Sequence, residues 1–219
     1  MQKYLYGKKK YLKDWIGGKQ GIRLSDIAYY SIMDNKQMQD NELAKEFVYD
    51  KNKITFSVNG VSLSPHDMAE NPVMTVLPER CFCVCLSNKK NDAVLFERFK
   101  ADVCLEIDVS NLTQLLVVAV SHLEGVNVVQ GNVNYYPAIM SSPAPDINSV
   151  LFYKRDVYQV EDEYRVAIKI PAHRKFFMDT DGNKIAIFSD DPNDIRHMFV
   201  NGLDHEINTS YITSVYYKT

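Results

Sequence analysis

The stretch of this chain richest in chemistry is Glu161-Asp162-Glu163-Tyr164-Arg165, which leads into an alternating apolar run through Val166, Ile168 and Ile170. If the backbone is already extended at Glu161, then Glu161, Glu163, Arg165 and Lys169 share one face of a strand. Carboxylates at i and i+2 then lie roughly 7 Å apart beside a guanidinium. Such a pair can hold a sugar hydroxyl with one carboxylate and stabilise a developing oxocarbenium with the other, the electrostatic help that glycosyl transfer requires. The competing reading is a solvent-facing strand carrying a ladder of ion pairs.

Other reactive patterns are sparse. The sequence contains no phosphate-loop motif, no Gly-x-Gly-x-x-Gly and no Gly-x-Ser-x-Gly elbow. Asp179-x-Asp181-Gly182-Asn183 has its glycine too early for a calcium loop and reads as a hairpin turn. His66, His122, His173, His197 and His205 are scattered without metal-ligand spacing, so no metal site is expected. Cys81, Cys83 and Cys85 alternate along one apolar run and Cys104 lies in another, which predicts buried, reduced thiols. The chain has 14 tyrosines, and those near element ends, Tyr30 and Tyr135 among them, could stack on a base. Lys3, Lys8, Lys9, Lys10 and Lys13 make a locally basic start, read as a solvated helix face or a phosphate contact.

The elements that must position these groups are mixed. Residues 1–50 read as mostly helical: Tyr11, Leu12, Trp15 and Ile16 have helical spacing before Gly17-Gly18, and Ser25 could cap a second helix. From residue 53 strands take over. Asn59-Gly60 marks a hairpin, and Ser64-Pro65 starts a short helix. Residues 81–86, apolar on both faces, read as a central strand, followed by a helix over 91–100 and a strand over 103–109. A helix is expected over 110–123, a second hairpin turning at Gly131-Asn132, a proline loop over 141–146 and a long strand within 157–170. A helix is expected from Asp191-Pro192 to Asn201, and a last strand over 211–217. The expected architecture is a single α+β domain over 1–219: a mixed, mainly antiparallel central sheet, a helical N-terminal segment (1–50), a mainly β core (51–219) and short flanking helices.

Composition fits this picture. With 46% hydrophobic and 24% charged residues, the 219-residue chain is outside the disordered, collagen and coiled-coil classes. The net charge of −3 removes a bulk basic field for nucleic acid. The longest apolar run, residues 115–120, is far short of a membrane span, and no apolar leader follows Met1, so a cytoplasmic protein without membrane contact is expected.

The order of motifs resembles a known family. Tyr4-Leu5-Tyr6, Gly21-Ile22-Arg23-Leu24-Ser25, Tyr29-Tyr30 and Asp40-Asn41-Glu42 come first. Cys83-Val84-Cys85-Leu86-Ser87, residues 103–108, Asn132-Val133-Asn134-Tyr135 and the Glu161–Arg165 block follow. Over most of the chain this is similar to the bacterial family called domain of unknown function 2971, itself similar to abortive-infection proteins of the AbiG type. That resemblance implies a setting of phage defence, with a phage protein or an antitoxin as a partner. A further resemblance is to the ADP-ribosyltransferase plan, in which an arginine grips the phosphates of NAD, a strand serine braces the nicotinamide ribose and a glutamate holds the ribose hydroxyl. By that resemblance Arg23 and Ser87 would bind the cofactor, Glu163 would act on the ribose and Glu161 would orient a protein or nucleic-acid acceptor. Here Leu86-Ser87-Asn88 stands where that plan has Ser-Thr-Ser.

Three functions follow as expectations. The first is an NAD-dependent, ADP-ribosyltransferase-like enzyme with Glu163 and Glu161 as catalytic residues and Arg23, Ser87, Tyr30, Tyr135 and Arg165 as binding residues. The second is a non-catalytic module that binds a nucleotide or phage component, with Arg23, Arg165 and the N-terminal lysines on phosphates and Tyr30 and Tyr135 on a base. The third is a nuclease holding magnesium with Asp40, Glu42, Glu106 and Asp108.

Overall fold

A computed structural model of the chain describes residues 1–141, 145–191 and 193–218. Its centre is an eight-stranded sheet of β1 (Gln2–Gly7), β2 (Ile22–Asp26), β3 (Cys81–Ser87), β4 (Val103–Asp108), β5 (Asn127–Asn132), β6 (Glu163–Lys169), β7 (His197–Val200) and β8 (Ile212–Tyr217). All its pairings are antiparallel. Four helices flank it: α1 (Lys9–Ile16), α2 (Ala93–Arg98), α3 (Val109–Val120) and α4 (His205–Thr209). The α+β class expected from the sequence is what the chain forms. No helix among the described residues is long and apolar enough to cross a membrane.

The sheet has two unlike faces, because alternate side chains point to opposite sides. One face carries Leu24, Phe82, Val84, Leu86, Leu105, Ile107, Val166 and Ile168, and packs against Leu112, Leu116 and Val120 of α3 and Trp15 of α1. The Trp15 indole N–H donates to the Tyr211 hydroxyl at 2.6 Å, which satisfies the one polar atom of that ring. Asp108 starts α3 by accepting from the N–H groups of Ser110 and Asn111. The opposite face carries Tyr4, Ser25, the cysteine row, Ser87, Glu163 and Arg165, and is where polar groups are buried.

β3 is the hub. β6 pairs along its whole length, from Glu163 opposite Ser87 to Lys169 opposite Cys81. Its other edge is shared by two strands: β2 takes Phe82 and Cys83, and β1 takes only Ser87, through Tyr4. β1 is drawn away because all six of its residues pair with β4. The sheet therefore forks on this edge. Gly21 sits where β2 enters; a Cβ there would fall 1.8 Å from the Val200 carbonyl oxygen, so only glycine lets β2 start so close to β7.

Several local expectations are corrected. Within residues 1–50, helix is confined to α1 and a 3-10 turn, Ile27–Ser31, capped by Asp26 rather than Ser25. The remainder includes β1, β2 and a strand Lys45–Val48 that pairs with Val73–Val76. Gly131-Asn132 is not a hairpin turn. β5 runs through both residues against β6, and Asn134–Tyr136 pairs in parallel with Tyr153–Arg155. The helix expected from Asp191 is replaced at its C-terminal half by β7, whose residues find partners along β2; Pro192 lies outside the described residues. Of the expected loop over 141–146, residues 142–144 also lie outside them. The hairpins at Asn59-Gly60 and Asp179–Asn183 form as expected. All four cysteines are free thiols; Cys81, Cys83 and Cys104 are buried and Cys85 is half-buried.

The packing of the apolar face predicts its energetics. Leu105→Ala removes a fully buried side chain between β1 and β8 and should cost about 2–5 kcal/mol in urea unfolding. A loss below about 1 kcal/mol would mean this face is not packed as described.

Candidate functional site

The fork in the sheet opens into a cavity of about 510 Å³, in the size range of small-molecule sites. Its floor is the free edge of β3, and its walls are β1 and β2 as they diverge. The direction of the backbone groups on this edge follows from their neighbours. The Asp26 N–H donates to the Arg196 carbonyl on the β7 side, so Ser25 turns its groups toward β3. The Asn88 N–H donates to the Asp162 carbonyl on the β6 side, so Ser87, Cys85 and Cys83 turn theirs toward the fork. Cys83 and Ser87 meet partners there, whereas Cys85 lies between the two strands and pairs only on its β6 side. Its N–H and C=O are left to face the cavity, where a ligand or water must satisfy them.

Five of the seven residues singled out from the sequence line this one cavity: Arg23, Tyr30, Ser87, Glu161 and Glu163. Tyr4, Ser87 and Glu163 stand opposite one another on three adjacent strands, so they form a row across the sheet on one face. Tyr4 was not among the expected site residues; its strand pairing was invisible in a segment read as helical. Arg23 is exposed on β2 and forms no ion pair with any described residue. Its charge, after burial itself, helps to lower the pKa of His197. Phe199 stands opposite Arg23 and lines the same cavity, and the Tyr29 and Tyr30 rings meet edge to face at 5.9 Å. Burial, with Cys85 and Glu163 beside it, pushes the Tyr30 hydroxyl well above its ordinary pKa, so it stays protonated.

The two glutamates do not both lie on the strand. Glu161 ends a 3-10 turn (Asp156–Glu161), Asp162 takes a left-handed conformation with φ 43°, and Glu163 begins β6. Ser87 and Asn88 brace this reversal. The Ser87 hydroxyl donates to the Glu161 carbonyl at 2.7 Å and accepts from the Lys89 N–H. The Asn88 amide donates to the Asp162 carbonyl and carboxylate. The Ser87 hydroxyl proton is thus committed to the turn, so the serine can offer a ligand only an acceptor. Tyr135 and Arg165 do not line the cavity. The Tyr135 hydroxyl accepts from the Glu163 N–H at 2.7 Å and holds the backbone of that residue. Burial raises its pKa to about 12.

Arg165 is 1% exposed, which excludes the solvent-facing ladder. Its guanidinium makes a two-pronged contact with Glu42, at 2.8 and 2.5 Å, another with Glu163, at 2.5 and 3.3 Å, and donates to the Leu151 carbonyl. Lys154 bridges Glu163 and Glu161, Arg98 holds the far side of Glu161, and Lys45 joins Glu42 to Asp40. The order Asp40, Lys45, Glu42, Arg165, Glu163, Lys154, Glu161, Arg98 is one chain of strictly alternating charge. Burial opposes ionisation of Glu42 and Glu163. The Arg165 charge, aided by Lys45 at Glu42 and by Lys154 at Glu163, outweighs it, so Glu42 is held down to about 2 and Glu163 lower still. At Glu161 burial dominates and raises the pKa.

The carboxylates of a magnesium site do not assemble. Asp40 and Glu42 belong to the charge chain, Glu106 meets Lys90 and the Tyr216 hydroxyl, and Asp108 caps α3. No group of three or more His, Cys, Asp or Glu side chains converges as metal ligands among the described residues. No family model, curated protein or solved structure matches this chain.

Two outcomes follow from the charge chain. Glu42→Gln leaves the buried Arg165 half-paired and should cost about 3–5 kcal/mol in denaturant unfolding. Because the folded pKa values of Glu42 and Glu163 lie below their unfolded values, their stabilisation is present above about pH 4.5 and is lost as pH falls toward 2. Acid titration of wild-type stability should show this loss, and Glu42→Gln should flatten it. An unchanged acid slope in the variant would contradict the pairing.

Proposed function

We propose that the cleft at the fork binds a nucleotide of the NAD type and that the chain is an ADP-ribosyltransferase-like enzyme acting at Glu163. The observation that carries this reading is the row of Tyr4, Ser87 and Glu163 beside an unpaired Arg23 in a single cavity. Arg23 is a cation free to take a phosphate, and the aromatic wall of Tyr29, Tyr30 and Phe199 offers stacking surface. The free N–H and C=O of Cys85 suit a group with one acceptor and one donor side by side.

Glu163 is fit for one role in particular. Held ionised by Arg165 and Lys154, it cannot donate a proton, but it can accept a hydrogen bond from a ribose hydroxyl and sit against positive charge growing at the adjacent ring. In the reaction, the bond between the ribose C1′ and the nicotinamide nitrogen breaks and its electron pair neutralises that nitrogen, so the leaving group needs no acid. The acceptor then bonds to C1′ and gives up its proton to water. Glu161, at the end of its turn, would orient the acceptor. The resemblance to family 2971 would place this activity in bacterial defence inside the cell, with a protein or nucleic-acid acceptor and a phage protein or antitoxin as partner.

A second reading, nucleotide binding without turnover, is favoured by one observation: both oxygens of Glu163 are already engaged by cations. Proton NMR of free nicotinamide separates the two. Wild-type protein should release nicotinamide from NAD, and Glu163→Gln should lower the rate by about 10²–10³ while keeping NAD affinity. Arg23→Ala should weaken NAD binding by about tenfold or more. Binding without release would leave the non-catalytic module, and absence of both would overturn the site.

A further inference from the structure

Lys154 is a group at this site that no sequence pattern announced. It lies on the short strand Tyr153–Arg155, opposite Tyr135, and its side chain is 6% exposed. Its ammonium nitrogen stands 2.8 Å from Glu161 Oε2 and 3.0 Å from Glu163 Oε2, with the Tyr158 ring 4.6 Å away on a third side. The division of contacts is orderly. Each glutamate gives its Oε1 to an arginine of its own, Glu161 to Arg98 and Glu163 to Arg165. Both give their Oε2 to the one lysine, and Glu163 Oε2 takes in addition a longer contact, 3.3 Å, from Arg165 Nη2. Lys154 is therefore the direct link between the two carboxylates, and it lines the cavity beside them.

We propose that Lys154 is a positioning residue of the cleft: a single buried ammonium that holds Glu161 and Glu163 together as a pair of ionised carboxylates. The proposal rests on the nucleotide reading above and deepens it. A carboxylate oxygen has about two lone-pair sites: Glu161 Oε2 accepts only from Lys154 and keeps one for a ligand, whereas Glu163 Oε2 also takes the long 3.3 Å contact from Arg165 Nη2, which a ribose hydroxyl would displace. Without the ammonium, two buried Oε2 atoms would face each other with like charge, and the pair would take up a proton. Carried by Glu161, that proton would be donated across the gap to Glu163 Oε2, the oxygen the ribose hydroxyl needs. Glu161 is the natural holder, since burial already raises its pKa. The other charged and titratable groups packed around the lysine are Asp40 and Glu42 from residues 32–44, Arg98 from α2, Arg165 from β6, and Tyr135 and Tyr158. None of these supplies a second cation between the two Oε2 atoms.

The test compares Lys154→Met, Lys154→Gln and Lys154→Arg in the full chain, each first shown to be folded by circular dichroism. Infrared spectroscopy should show the carbonyl band of a protonated carboxyl at neutral pH in the Met variant, or in the Gln variant if Met does not fold. The band should be absent from wild type and Lys154→Arg. Nicotinamide release by the Met or Gln variant should fall by about tenfold or more at neutral pH and recover as pH rises, with NAD affinity little changed. Lys154→Arg should restore the wild-type profile. A merely structural lysine would lower thermal stability without a carboxyl band and without moving the pH profile, and that result overturns the proposal. The infrared band reads the clamp even in a protein that releases no nicotinamide, so failure of the clamp and failure of the transferase reading are told apart.

Discussion

Arg165 imposes the constraint on which the polar half of this protein depends. A guanidinium on the central pair of strands, away from water, is tolerable only if its charge and its donors are met. One neighbour on its own strand, Glu163, meets half of the requirement. The rest comes from Glu42, 123 positions away in sequence, and that contact pins residues 32–44 across the polar face. Each carboxylate brought in carries its own need for a cation, and so the pairing propagates through Lys45 and Lys154 to Asp40, Glu161 and Arg98. The alternation keeps the buried segment near neutrality without relying on solvent.

The same strands produce the cleft. β1 belongs to β4 and β2 belongs to β7, and each touches β3 only at one end of a shared edge. The gap between them falls beside Cys85, two residues from each contact. Charge chain and cleft thus meet on β3 and β6: Glu163 is the residue that belongs to both. Its ionised state is fixed from behind by Arg165 and Lys154, and its row with Ser87 and Tyr4 crosses the cleft.

Much of this was legible before the structure. The α+β class, the central strand at 81–86, the helix α3 and the Asn59-Gly60 hairpin follow from local periodicity and turn chemistry. The Glu163–Arg165 face was readable from a period of two. What was not legible depended on distant partners. β1 and β2 are short and tyrosine-rich or mixed, and their strand character comes from pairing with β4, β3 and β7. Glu161 looked extended because nothing in Asp162 announces a left-handed turn. Ser87 looked free for a ligand, but its hydroxyl proton is spent on the Glu161 carbonyl. Lys154 carries no local pattern at all, and Glu42 stood out in the sequence only as an acidic motif and a candidate magnesium ligand; only the demand of a buried guanidinium and two buried carboxylates gives them their roles.

The most direct test of the account is a nitrogen–proton correlation spectrum of the labelled protein titrated with NAD. Saturable shifts are expected, concentrated on the amides that frame the fork, those of Cys85, of Arg23 on β2 and of Tyr6, which lines the cavity from β1, with Ser87 and Glu163 following. Shifts confined to the α3 side of the sheet, or no shifts at millimolar NAD, would contradict the assignment of the fork as the ligand site.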